Sequence, residues 1–188
     1  MKTTVHPKPC RQCAKEFTPV RGLQAVCSPR CAQREVVGAK KTRKALERAQ
    51  TTARREALKT IADRIREAQT EFNAYIRLRD RDQPCICCGR TADDSTLLTG
   101  SRWDAGHYRS TGSASHLRFN EDNCHRQLVV CNRHGAGRAV DYRLGLIARI
   151  GLERVEALEA NNEPHKWAHA ELIEIRARYK AKRKALEA

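Results

Sequence analysis

Aromatic side chains are scarce in this chain: 3 Phe, 2 Trp and 4 Tyr amount to 5% of 188 residues, beside a single Met. So small a supply of large apolar groups argues against one big hydrophobic core and for small modules that need a staple. No apolar run approaches the ~20 residues that span a bilayer. The start, Met1-Lys-Thr-Thr-Val-His6, is not an apolar leader. Together these predict a soluble cytoplasmic chain with no membrane partner. Acidic charge is short as well, with 22 Asp and Glu facing 37 Lys and Arg for a net +15. The deficit is concentrated in residues 1–70, which carry 17 basic against 6 acidic side chains, whereas residues 71–188 carry 20 against 16. A solvated helix face explains many charge runs, but a surplus this lopsided predicts a polyanionic partner.

What the chain does have is cysteine, nine in all. An odd number without a leader favours metal over disulfides. Cys10-Arg-Gln-Cys13 and Cys27-Ser-Pro-Arg-Cys31 form two tight pairs. Four soft thiolates leave no open position on a tetrahedral zinc, so this site is expected to be structural. A second group opens at Cys85-Ile-Cys87-Cys88 and continues to Cys131. Cys85, Cys88 and Cys131 are expected to hold a second Zn²⁺. Its fourth ligand stays open among Cys124, His125 and His134, with Cys87 able to replace a neighbour.

Between the cysteine groups the apolar residues Leu46, Ala49, Ala53, Ala57, Ile61, Ile65, Ala68, Phe72 and Ile76 recur at steps of three or four. They predict one amphipathic helix from Thr42 to Asp80, roughly 55–60 Å long at about 1.5 Å per residue. Lys40, Lys41, Arg43, Lys44, Arg48, Arg54, Arg55 and Lys59 dress its first half, where a duplex backbone is the expected neighbour. Gln83-Pro84 ends it. Residues 91–122 read as extended stretches and turns, and a helix is expected close to Asn123. Val140, Leu144, Ile147, Leu152, Val155 and Leu158 predict one late helical face, and Trp167, Leu172, Ile175, Tyr179 and Leu186 another. The fold class is therefore small α+β. Residues 1–38 are a four-cysteine zinc knuckle, 39–82 a long basic helix, 83–140 a core with the second zinc site, and 141–188 a helical region.

Trp103-Asp104-Ala-Gly106-His107, Asn123-Cys-His125 and Cys131-Asn132-Arg-His134 lie in that core. A strand ending in histidine, then a loop, an Asn, and further His and Asn residues resembles the ββα-metal, or HNH, nuclease site, with a treble-clef-like arrangement of zinc ligands. Phosphodiester hydrolysis needs a neutral imidazole to take a proton from water, an amide to orient it, and a hard cation beside the phosphate. His107 is the expected base and Asn123 the expected orienting residue. Asp104, Asn132, and His125 or His134 are the candidate ligands of Mg²⁺ or Mn²⁺. Plainer roles exist: Asp104 and Asn123 as turn or helix caps, His134 as a zinc ligand, and His107 as a core histidine. The catalytic reading requires His107 to be open to solvent and close to its helpers.

Phe72-Asn-Ala-Tyr-Ile-Arg77, Arg79-Asp80, the Cys85–Gly89 run, Asp104-Ala-Gly-His107-Tyr108-Arg109-Ser110, His116-Leu-Arg118-Phe119, Asn123-Cys-His125-Arg-Gln127 and Cys131-Asn132-Arg-His134 together resemble the NinG, or Rap, recombination proteins of lambdoid phages. The likeness continues through Tyr142-Arg143, Leu146-Ile147, Ile150-Gly151 and Lys166-Trp167, nearly the whole chain. It implies a structure-specific, divalent-metal endonuclease acting on branched double-stranded DNA such as Holliday junctions and D-loops. The setting it implies is the host cytoplasm and nucleoid, with other phage recombination proteins as partners. Paired incisions in a two-fold junction call for a homodimer. A non-catalytic zinc module that binds or anneals DNA is the alternative. Leu128 stands where the family usually has a cysteine, and Gly106 where many HNH nucleases place a metal-binding acid or histidine.

Overall fold

Ser28 and Pro29 set the first helix. The Ser28 hydroxyl accepts from the Cys31 N–H at 3.3 Å and Pro29 occupies the first turn, where a missing N–H costs nothing. The computed structural model describes residues 6–94 and 100–188, which divide into two units, Met1–Leu58 and Lys59–Ala188. Part of the 91–122 region expected to be extended therefore lies outside the described residues. Among the described residues no helix is long and apolar enough to cross a membrane.

The first unit holds a two-residue hairpin, β1 (Lys8–Pro9) and β2 (Glu16–Phe17), followed by α1 (Pro29–Ala57). Leu46 is 58% exposed, and Lys40, Lys41, Arg43, Lys44, Arg48, Arg54 and Arg55 are all exposed. Among the described residues, none of the three hydrophobic clusters draws a residue from this unit.

The expected single helix from Thr42 to Asp80 is two helices: α1 starts earlier and ends at Ala57, and α2 runs Ile61–Arg79. Thr60 makes the break. Its hydroxyl accepts from the Asp63 N–H at 3.2 Å while the Asp63 carboxylate accepts from the Thr60 N–H at 3.0 Å, a reciprocal cap that starts a new helix. Ala57 and Ile61 are four apart, so the apolar rhythm passes over the break unaltered.

In the second unit β3 (Trp103–His107) pairs antiparallel with β4 (Cys124–Leu128), Trp103 opposite Leu128 and His107 opposite Cys124. The helix expected near Asn123 is thus a strand. Helical geometry begins only at a π-helical turn, Val130–His134, before α3 (Ala139–Ile150), α4 (Leu152–Ala160) and α5 (His169–Glu187). Helices α2 and α5 pack together and onto the hairpin, burying Ala68, Phe72, Ile76, Ala105, Cys124, Leu172, Ile175 and Tyr179. Phe72 is central, with Tyr179 edge-on at 4.8 Å and Phe119 at 5.8 Å.

Helices α3 and α4 form a second cluster with the Cys85–Gly89 turn: Ile86, Leu117, Tyr142, Leu146, Val155 and Leu158. The late helical face is shifted from the one expected, since Val140 is 76% and Leu144 62% exposed. Tyr142 decides this, because its hydroxyl accepts from the His125 N–H at 3.0 Å and donates to the Gly106 carbonyl at 2.8 Å. Gly151, at φ 86°, separates α3 from α4. Helix α3 meets the turn at Gly145, where a Cβ would lie 1.8 Å from the Ile86 carbonyl oxygen. Gly145→Ala must therefore push α3 away from the turn. It should cost about 2–3 kcal/mol by denaturant melt despite Ala's better helix propensity; equal or greater stability would refute the contact.

Candidate metal centres and the hairpin histidine

Cys10 and Cys13 stand on the turn between β1 and β2, Cys27 precedes Ser28, and Cys31 lies in the first turn of α1. Their Sγ atoms are all within 4.8 Å of one another, with Cys13–Cys27 and Cys27–Cys31 at 3.6 Å. A tetrahedral zinc with Zn–S near ~2.3 Å has S–S edges of about 3.8 Å, so the donor set fits. Burial opposes ionisation of Cys10, yet backbone N–H groups of Cys27, Cys13 and Gln12 outweigh it and draw the thiol down to about 6. The neighbouring side chains of Cys13, Cys31 and Cys10 push Cys27 up to about 12. Cys10 forms a thiolate easily while Cys27 resists, an electrostatic demand that a divalent cation answers. With all four positions taken by sulfur, a zinc held here would have no open position for substrate.

The second centre gathers Cys85, Cys87, Cys88 and Cys131 within the same 4.8 Å limit. Cys85–Cys87 and Cys88–Cys131 are 3.6 Å apart. The open fourth position is thus filled by Cys87. Cys124 is elsewhere, fully buried in the α2–α5 cluster with its Sγ 3.7 Å from His107 Nδ1. His134 is exposed at the end of the π-helical turn, in a groove with Arg90, Arg102 and Val130. Residue spacing gives no notice of Gln127. It is 1% exposed and donates through Nε2 to Cys87 Sγ at 3.4 Å and to the Gly137 carbonyl at 3.0 Å. Gly106 makes room for it, since a Cβ there would sit 2.0 Å from Gln127 Oε1. This is why position 106 cannot carry an acid or histidine; the one hint in the sequence is that glycine inside a strand.

His107 closes β3 and is half-buried. Its Nε2 lies 3.0 Å from the Arg118 carbonyl oxygen. A carbonyl only accepts, so Nε2 carries the proton and Nδ1 the lone pair. Burial lowers the imidazole's pKa, only partly countered by that bond. The ring is thus a neutral base at pH 7. Asn123 does not touch it. Its Oδ1 accepts from the Arg109 N–H at 2.8 Å, and its Nδ2 donates to the Arg109 and Leu117 carbonyls at 3.0 and 3.2 Å. Those bonds clip both ends of the loop whose next residue, Arg118, meets His107.

Of the residues expected to bind a hard cation, Asp104 and Asn132 are in contact, whereas His125 is engaged elsewhere. Strand alternation sends Asp104 and His107 to opposite faces of the hairpin. Asp104 accepts from Asn132 Nδ2 at 2.9 Å and from two nitrogens of Arg133, each at 2.8 Å. Burial opposes its ionisation, but Arg133 and Asn132 prevail and lower its pKa. His125 is 4% exposed, with Nδ1 facing Arg79 at 3.0 Å and Asp80 at 3.3 Å. Among the described residues the two cysteine quartets are the sole groups of three or more His, Cys, Asp or Glu with ligand atoms so close.

Fold and site define a small α+β protein with two four-cysteine clusters able to hold metal, one of them built against a hairpin that ends in a neutral histidine. The family model described as Bacteriophage Lambda NinG protein matches residues 2–188, and the chain belongs to the NinG family. It is 42% identical to protein ninG of Escherichia phage lambda over 190 residues, covering 93% of this chain and 90% of that one. It is 40% identical to protein ninG of Salmonella phage P22 over the same length and shares. With protein ninG of Escherichia phage 933W it shares 49% identity over 133 residues, 71% of this chain and 63% of that protein. No solved structure matches.

Proposed function

We propose that this protein is an endonuclease of phage homologous recombination that hydrolyses phosphodiesters in branched DNA such as Holliday junctions and D-loops. The observation that supports the reading is His107, a neutral imidazole whose Nε2–H is spent on the Arg118 carbonyl; its basic Nδ1 lies 3.7 Å from the buried Cys124 thiol, so water has to displace that contact for Nδ1 to act. Such a nitrogen can take a proton from water as the water oxygen attacks phosphorus in line, while the leaving oxygen picks up a proton from solvent. Asn123 is the positioning residue. The exposed cations of α1 supply the phosphate-binding surface, so affinity should fall with salt by roughly −0.9 in log–log slope per neutralised phosphate. Structural Zn²⁺ in the cysteine quartets, Mg²⁺ or Mn²⁺ as a requirement of cutting, a homodimer for paired incisions, and other phage recombination proteins as partners complete the proposal.

The half-buried ring and an Asp104 already engaged by Arg133 favour a second reading, a DNA-binding or annealing module whose zinc is purely structural. Incubation with a synthetic four-way junction and a linear duplex, with Mg²⁺, Mn²⁺ or chelator, separates the two. Nicking confined to the junction and abolished by chelator is expected. Binding with no product under any of these conditions leaves the module.

A further inference from the structure

We infer that the Arg118 guanidinium and the face of α2 beside it form an oxyanion site that seats a backbone phosphate of nucleic acid. The inference rests on the nucleic-acid part of the proposed function and not on cutting by His107. Arg118 stands between the buried Leu117 and Phe119, which anchor its loop and leave its own side chain half-buried. Its Nη1 donates to Gln69 Oε1 at 3.3 Å and its Nη2 to the Thr111 carbonyl at 3.2 Å. Both acceptors are neutral. Nε is shut away from solvent with no hydrogen-bond partner, and burial lowers the pKa of the group with no carboxylate among the described residues to oppose it. Arg79, Arg133, Arg143 and Arg154 each have an acid within 3 Å. A covered cation without a counter-charge costs stability, so Arg118 is the place where an anion from outside would be gained most.

The second observation is the space that the group borders. Arg118 lines a solvent-open groove of about 360 Å³ with Ile65, Arg66, Gln69, Thr70 and Asn73, which recur at helical spacing and so share one face of α2. Among the described residues no acid lines it. Arg66 brings a second cation to the rim, 75% exposed and touching Asp63 at 3.2 Å. Gln69 spends Oε1 on Arg118 and Nε2 on Asn73 Oδ1 at 2.6 Å, which leaves the Asn73 NH₂ group to donate. Each Nη of Arg118 also keeps one N–H. Guanidinium and amide donors around a groove without carboxylates suit an oxyanion, and the arginine fork matches a phosphate. The Arg118 carbonyl meanwhile accepts from His107 Nε2 at 3.0 Å. One residue would thus hold the hairpin imidazole by its backbone and the nucleic acid by its side chain.

The test compares the full zinc-loaded chain with Arg118→Gln, Arg118→Lys and Asn73→Asp, the last supplying the groove with the acid it lacks. Melting is followed in chloride and in inorganic phosphate at matched ionic strength, and affinity for a four-way junction is titrated against salt without added Mg²⁺ or Mn²⁺. General salting by phosphate acts on every variant alike, so only the difference between variants reads the site. The parental chain should gain a saturable few degrees from phosphate. Arg118→Gln should melt no lower than the parental chain in chloride and lose that gain, while Arg118→Lys keeps part of it. Junction affinity of Arg118→Gln should fall by roughly tenfold, with the log–log salt slope shallower by about 1. Arg118→Gln that responds to phosphate as the parental chain does, or that is destabilised equally with and without phosphate while binding the junction normally, would overturn the site. Phosphate protection that depends on Arg118 with unchanged junction affinity would make it a site for free phosphate and overturn the nucleic-acid assignment. If Arg118→Gln does not fold, Asn73→Asp decides: it should melt at or above the parental temperature in chloride and lose both the phosphate gain and junction affinity, and parental behaviour in both would refute the proposal.

Discussion

Junction cutting by His107→Ala is expected to fall by about 10²–10⁴-fold, the range a positioned general base contributes, with junction affinity close to parental. No other side chain among the described residues contacts the imidazole with a group able to take over: Cys124 beside Nδ1 is fully buried, and burial raises its thiol well above the usual range. The substitution also removes the bond to the Arg118 carbonyl and the ring's contact with Phe72, whose centroid is 6.1 Å away. A melting curve must therefore accompany the rate. The pH profile gives an independent reading. Because burial places the folded pKa below the ordinary 6.5, the base form is complete above that value and the rate should decline only on its acid side. Cutting at the parental rate by a folded His107→Ala protein would remove the histidine from the chemistry.

The largest effect on stability is expected at Asp80. Asp80 is the C-cap residue of α2 through its backbone N–H, is 5% exposed, and its carboxylate accepts from Arg79 at 2.6 and 2.9 Å and from the Arg126 N–H at 3.0 Å. Arg149 stands at 3.7 Å and His125 at 3.3 Å. Asp80→Ala leaves the largely covered Arg149 without its carboxylate and Arg79 with only Glu121 at 3.8 Å, and should destabilise residues 59–188 by about 3–5 kcal/mol. Burial opposes ionisation of this carboxyl, but the bonds from His125 and Arg79 overcome it and hold it far below the usual carboxylate range. A depressed folded pKa gives stability that is present above the unfolded value of about 3.9 and is lost as pH falls toward the folded one. Parental stability carried by this group should be flat from pH 7 to 5 and decline below about 4, whereas the variant should lack that decline. A loss under ~1 kcal/mol at pH 7 would show the network to be dispensable.

Much of this is readable from residue spacing, and the departures have identifiable causes. The first quartet needs no tertiary information, because each pair lies within five residues and Ser28-Pro29 marks the helix that presents Cys31. The second quartet is harder, since Cys87 lies one residue from Cys88 and only three-dimensional placement shows which sulfurs converge. The break at Thr60 is written in the Thr60–Asp63 box but hidden by an apolar rhythm that survives it. Strand β4 reads as a helix start because cysteine, histidine, arginine and glutamine carry weak local preference, and pairing with β3 overrides it. Asp104 and His107 group together by proximity along the chain, although an odd separation of three in a strand puts them on opposite faces. Tyr142 draws the α3 face away from Val140 and Leu144 through two hydrogen bonds that no hydrophobic count registers.

The missing apolar cluster in the first unit sets how the protein would fail. Hydrocarbon can hold the second half together if its metal is stripped, but the N-terminal lobe has four sulfurs and little else. An oxidant that converts Cys10 and Cys13 into a disulfide would release the ion and dissolve that lobe's tertiary order in one event, while the aromatic cluster around Phe72 stays intact. Redox conditions would then decide whether the lobe that precedes the cation-rich α1 stays ordered, independently of anything that happens at the hairpin.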